Sequence, residues 1–198
     1  MKQVKNQIVA IAEEEWKYFG RQRFDSRNRI YKRGKQETDE GYWQRIGHYW
    51  RSLGFDIDGK DTHWAWSAAF VSYVMRVSGL GMDFKYSIRH SDYIKAVAEG
   101  DLKNWEYKDI RITPIEVGDI LCYARQPGIA YGKPLPKYFK SHGDIVVKID
   151  YDMKRAYVIG GNVSNSVTKV PIDITHKNMI PADKNFRRYF CVLKNNLG

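Results

Sequence analysis

The hydrophobic period of this chain changes once, near residue 118, and that change limits what it can fold into. Before it, apolar residues recur every three to four positions, the spacing that lines one face of a helix. Val4, Ile8, Ile11, Ala12 and Phe19 make one such series, ending at Gly20. Tyr42, Trp43, Ile46, Tyr49, Trp50 and Leu53 make a second, closed by Gly54. A third spans Ala65 to Val77, with Ala69, Phe70, Tyr73, Val74 and Val77 as its buried stripe, and a fourth spans Ser91 to Ala98. Beyond the change come short apolar runs bounded by turns: Gly118 to Ala124, Asp144 to Ile149, Arg155 to Ile159 and Arg188 to Leu193. Gln126 to Lys140, with three prolines and two glycines, reads as a loop. Helices followed by a run of strands predict an α+β fold, a helical N-terminal half packed on an antiparallel β-sheet.

A chain of 198 residues is long enough for a hydrophobic core and suits one domain with an extension. The expected division is an N-terminal helix and basic linker over 1–36, then the α+β domain over 37–198. With 43% apolar and 14% aromatic residues the composition excludes a disordered chain. Its apolar runs are short, as in Ala68 to Val71, far below the roughly 20 residues that cross a bilayer, so no membrane span is expected. The first residues run into Glu13-Glu14-Glu15 without a continuous apolar stretch, which predicts synthesis in the cytoplasm without a signal peptide. Cys122 and Cys191 both fall in apolar strand-like runs and read as small buried residues of a reducing compartment.

Charge is concentrated. Of the net +10, +6 lies between Arg21 and Lys35, where seven basic residues face Asp25 alone. Phe24, Ile30 and Tyr31 interrupt them. Basic residues interleaved with aromatics can hold a polyanion, and the same stretch reads equally as a solvated linker.

The chemistry centres on Ser67. Within His63-Trp64-Ala65-Trp66-Ser67-Ala68-Ala69-Phe70 it falls in the first turn of a predicted helix, where backbone N–H groups are unpaired and the helix dipole is positive. A nucleophile there would find its oxyanion stabilised, although serine needs a base. A helix cap is the structural alternative for Ser67. The candidate base is His142, at the entry of a predicted strand, with Asn162 placed to orient its ring if the next strand pairs antiparallel. Asp144, two residues from His142 on the same strand face, is the alternative third residue. Trp66, His90, Asp92 and Arg125 are candidates for substrate binding, Arg125 through the bidentate fork that fits a carboxylate. His90 and Asp92 read equally as helix-capping residues. The pairs His90/Asp92 and His142/Asp144 could in principle hold zinc. No Cys pair or His-Glu-x-x-His supports that, so no metal and no cofactor is expected.

Four segments occur in order: Trp66 to Ser72, Val117 to Ile120, His142 to Val147 and Gly160 to Val163. Together they resemble the cell-wall amidase and peptidase superfamily that includes the NlpC-type and CHAP domains. The Tyr49-Trp50 pair, Arg89 to Tyr93 and the Cys-x-x-Arg of Cys122 to Arg125 further resemble a bacterial and phage branch, domain of unknown function 2272. The resemblance spans roughly Glu37 to Val167. It implies a papain-like fold, a peptidoglycan amidase or endopeptidase activity, and a nucleophile at Ser67, base at His142 and orienting residue at Asn162. The superfamily normally has cysteine where this chain has Ser67. Two readings follow: a serine hydrolase acting on peptidoglycan or another cell-wall polymer, or a catalytically silent module that binds it. A wall enzyme made without a leader would reach its substrate by a phage particle, a holin or a secretion apparatus.

Overall fold

The computed structural model describes residues 2–181 and 187–197. The four apolar series become α1 (Lys2–Tyr18), α2 (Tyr42–Arg51), α3 (Ser67–Val77) and α4 (His90–Ala98). α1 buries Ile8, Ala12 and Trp16, with Phe19 just past its end. Buried Glu15 ties α1 to α2, accepting hydrogen bonds from Arg45 and from Tyr49 Oη. α3 starts two residues later than expected. Val77, expected in its buried stripe, is exposed, while Val71 and Met75 join Ala69, Phe70 and Val74 in the core.

Among the described residues eight strands form one sheet: β1 (Gln22–Phe24), β2 (Ile30–Lys32), β3 (Trp105–Lys108), β4 (Ile120–Ala124), β5 (Ser141–Asp150), β6 (Arg155–Gly160), β7 (Thr168–Asp173) and β8 (Tyr189–Asn195). Their order is β2-β1-β7-β6-β5-β4-β8-β3. The β4, β5, β6 and β8 pairings are antiparallel, as expected, and β7, not among the expected strands, also pairs antiparallel with β6, but β1 runs parallel to β7, so the sheet is mixed. The fold class is α+β.

The difference lies in the basic stretch. Residues 21–35, expected as linker, carry β1 and β2 as a hairpin at the edge of the sheet. Gln22 and Phe24 alternate inward while Arg21 and Arg23 point to solvent, a pattern of three residues that the surrounding charge conceals. The Gln22 amide is buried and donates to Val163 O (3.0 Å) and Thr168 Oγ1 (2.8 Å), which fastens the hairpin beside β7. β7 itself contains Pro171. β1 pairs only with Thr168 and Lys169, so Pro171 faces a free edge where its missing N–H leaves no ladder bond unmade.

Period-2 alternation gives the sheet two faces. Ile120, Cys122, Ile145, Val147, Ile159, Cys191 and Leu193 face the helices and form one core with α1–α4. Leu121, Val146, Val158, Val170 and Val192 face the other way, under Ile110, Ile115, Ile174 and Ile180 from the connecting segments. The functional side chains are distributed by this same alternation. Among the described residues no helix is long and apolar enough to cross a membrane.

Candidate active site

α3 packs on the central strands and carries Ser67 as its first residue, after Trp66 at the N-cap. Among the described residues no side chain caps this helix, which leaves its first-turn N–H groups to serve an incoming oxygen. A cleft of about 660 Å³ opens over that turn, lined by Ala65, Ser67, His90, Arg125, Tyr138 and Lys140 among others. The loop over 126–140 contributes one wall.

Ser67 Oγ lies 2.7 Å from His90 Nε2, and His90 Nδ1 lies 2.5 Å from Tyr93 Oη. His90 and Tyr93 are three residues apart on α4, hence neighbours on one helix face. Sequence reasoning expected His142 beside Ser67. Strand alternation does not bring it there. In β5, Gly143 and Ile145 face the helices, whereas His142 and Asp144 share the opposite face with their cross-strand neighbours Tyr123 and Leu121. The helix-side position next to the serine is therefore Gly143, which has no side chain. A Cβ there would overlap Tyr93 Oη and stand 3.3 Å from His90 Nδ1. The glycine makes the room that the His90–Tyr93 pair occupies.

His142 remains part of the same cluster. Its ring is 4.8 Å from the His90 ring and stacks on Tyr123 at 5.0 Å, between centroids. Its Nε2 is 3.0 Å from Asp144 Oδ1, but the contact lies off the direction of a ring N–H and is an electrostatic one, not an in-line hydrogen bond. Asp144 Oδ2 pairs with Arg187 at 2.5 Å. Gly160, across from Asp144, is required by this group, since a Cβ there would overlap Oδ1 and stand 3.0 Å from His142 Nε2. Asn162 lies two residues past the end of β6, beyond the pairs of the β5–β6 ladder. Asn162 adopts a left-handed backbone there (φ 54°), and among the described residues no side-chain hydrogen bond joins it to the imidazole.

The remaining candidates separate. Trp66 is a core residue, 1% exposed, with Nε1 donating to Glu37 Oε2 at 2.7 Å and the ring against Phe19. It stands at the N-cap of α3 and does not line the cleft. Asp92 accepts a hydrogen bond from Ser87 Oγ (2.6 Å) and lines a neighbouring depression. Arg125 is exposed and lines the cleft. Among the described residues no three His, Cys, Asp or Glu side chains converge as a metal site.

Burial determines the protonation of the cluster. His90 and His142 are 5% and 1% exposed. Burial, with the His142 and Arg125 charges added, holds His90 well below the usual imidazole value, so it is neutral at pH 7. Burial also lowers His142, with Asp144 opposing it. For Asp144, burial works upward, but His142 and Arg187 outweigh it and hold the carboxyl below its ordinary value. Burial pushes the Tyr93 phenol well up, so it stays protonated. Ser67 thus faces a neutral imidazole held by a neutral phenol, with an Asp144–Arg187 ion pair behind His142.

Sequence reasoning placed His90 in the cleft but not on the serine, and did not single out Tyr93, Gly143 or Arg187. The i, i+3 spacing of His90 and Tyr93 was the available signal for that pair. Arg187 stands 43 residues from Asp144 and no local pattern announces it.

A family model for domain of unknown function 2272, described as an uncharacterized protein conserved in bacteria, matches residues 37–194, and the chain belongs to that family. No curated protein and no solved structure matches the chain.

Proposed function

We propose that this member of the family is a hydrolase of amide bonds in peptidoglycan or another cell-wall polymer, with Ser67 as nucleophile and His90 as its base. The observation that carries the reading is the 2.7 Å contact between Ser67 Oγ and His90 Nε2 at the free N-terminus of α3, inside a cleft. In the productive tautomer Nδ1 holds the ring proton and donates it to Tyr93 Oη, leaving the Nε2 lone pair for the serine. Ser67 Oγ attacks the carbonyl carbon while its proton passes to Nε2. The oxyanion is received by the first-turn N–H groups of α3. His90 then gives the proton to the departing amine as the C–N bond breaks; a water, deprotonated in turn by His90, attacks the acyl carbon, and His90 returns that proton to Ser67 Oγ as the C–O bond to the serine breaks. His142 and Asp144 act as positioning residues, one stacked beside His90 and the other holding His142.

The wall substrate and a papain-like classification rest on the resemblance to the NlpC-type and CHAP domains. An 11-residue helix bearing the nucleophile at its N-terminus and packed on antiparallel strands supports that classification. The test is incubation of isolated peptidoglycan with the protein and with Ser67→Ala, followed by mass spectrometry of soluble products. Fragments from the unsubstituted protein alone are the expected result. Equal fragments from both would remove Ser67 from the nucleophile's role.

A second reading has its own observation. The partner of His90 is a phenol and not a carboxylate, so no buried negative charge sits directly against the imidazolium. A silent module that binds cell wall or another polyanion, through the cleft or the exposed basic hairpin, would retain sacculi and release nothing.

A further inference from the structure

We infer that Arg125, with Lys140 and Arg89, forms a subsite for a carboxylate of the substrate, so that the amides cleaved at Ser67 are acidic ones. The inference rests on the amide-hydrolase reading above for the reaction, but not for the binding. Among the described residues three charged side chains line the cleft, Arg89, Arg125 and Lys140, and all are cations; no described Asp or Glu lines it. They arrive from three places: Arg89 at the N-cap of α4, Arg125 just past β4, and Lys140 just before β5. The β4–β5 ladder ends at Ala124 and Ser141, and the Arg125 N–H donates to Lys140 O at 2.8 Å, so these two residues stand opposite each other. Like charges facing across an antiparallel pair repel.

Elsewhere on the sheet, cations find carboxylates, as in Lys169 with Glu13, Lys148 with Asp150 and Arg155 with Asp173. Among the described residues none of the three cleft cations makes an ion pair. Asp92, the nearest acid on α4, is engaged by Ser87 in the adjoining depression. The Arg89 guanidinium lies over the Tyr138 ring at 5.0 Å, which holds it at the rim. Uncompensated cations in a cleft concentrate anions, and the planar guanidinium fork fits a carboxylate with two parallel hydrogen bonds.

The subsite also answers a deficit in the site itself. His90 becomes an imidazolium as it takes the serine proton, and Tyr93 carries no charge to balance it. Arg125 is one of the charges that oppose that protonation. A carboxylate seated on Arg125 offsets its charge, so the bound substrate supplies the negative charge that the protein does not place beside His90.

Binding of three probes to Ser67→Ala, measured by calorimetry, tests this without turnover. Acetyl-alanine p-nitroanilide is neutral, glutaryl-alanine p-nitroanilide carries a carboxylate on the acyl side, and acetyl-alanyl-p-aminobenzoate carries one on the leaving side. At least one acidic probe should bind about 10-fold or more tightly than the neutral one, as expected for a charge-assisted pair. Adding Arg125→Gln should abolish the preference, and Arg125→Lys should keep part of it. The two acidic probes tell which side of the scissile bond the subsite serves. Equal binding of all three, no binding by any, or a preference untouched by Arg125→Gln would overturn the subsite. Hydrolysis of the same probes by the unsubstituted protein reports separately on the reaction: a binding preference without hydrolysis keeps the subsite and removes the hydrolase reading.

Discussion

Ser67 Oγ and His90 Nε2 meet at 2.7 Å although 23 residues separate them, because α3 and α4 converge over the one position of β5 that has no side chain, Gly143. Among the described residues no other base is hydrogen-bonded to Ser67. Replacing Ser67 by Ala should therefore lower kcat by about 10³-fold or more, and His90→Gln by about 10²–10⁴-fold. The double variant should be no slower than the worse single one, since the two act as a unit. His142→Gln should cost less than His90→Gln on the same substrate. The opposite ranking in steady-state kinetics would return the base to His142.

Gly160 faces the carboxylate of Asp144 across the β5–β6 ladder with no space for a methyl group. Gly160→Ala forces either the carboxylate or the strand to move and should destabilise the fold by about 1–3 kcal/mol, the range of an overpacked core. Urea unfolding measures it. A loss within about 0.5 kcal/mol, the size of an ordinary surface change, would contradict the close approach.

The helices were legible because each presents a full apolar face closed by glycine: Gly20, Gly54, Gly79 and Gly100 all stand at or just past helix ends with positive φ. β4, β5, β6 and β8 were legible for the same reason of pattern. β1, β2, β3 and β7 were not: the first three are strands of three or four residues that mix charged side chains with aromatics and carry too little signal, and Pro171 interrupts the pattern of β7. At the site, the helix-borne serine and the motif glycines were visible as residues, but not which histidine the serine would meet. That choice depends on which face of β5 each side chain takes. Beginning β5 at Ser141 rather than at Asp144 makes His142 a strand residue that shares a face with Tyr123 and Asp144, where the entry to a strand was expected.

Arg187 and Asp144 form a buried ion pair, 11% and 1% exposed at their side chains. Burial disfavours the charge on Arg187, and Asp144, with Tyr189 and Tyr123 adding to it, more than restores it. Removing the cation leaves a buried carboxylate without its partner. Arg187→Met should therefore cost about 3–5 kcal/mol in denaturant unfolding. Asp144→Asn in the same chain should recover much of the loss, because the group left behind is then neutral. Failure of that rescue would mean that Arg187 stabilises the fold through packing and not through charge.

The two buried histidines set the acid side of both stability and activity. Each has its folded value lowered from the ordinary 6.5, chiefly by burial. The unfolded chain therefore binds more protons than the folded one below about pH 6.5, so stability falls as pH falls through that window. The slope contributed by each histidine approaches about 1.4 kcal/mol per pH unit while it is protonated only in the unfolded chain. Asp144, also lowered, adds its own loss only at more acid pH, as the solution passes below the ordinary carboxylate value toward the folded one. His142→Gln should flatten the first slope by one proton's worth, measured by denaturant unfolding between about pH 5 and 8. For catalysis the sign is the same and the consequence is opposite in appearance. His90 is already the free base at pH 6.5, so kcat/KM should stay level through that value and decline only on an acidic limb below it. A limb centred at the ordinary imidazole value would show that the base in the working enzyme is solvated, which a His90 locked between Ser67 and Tyr93 is not.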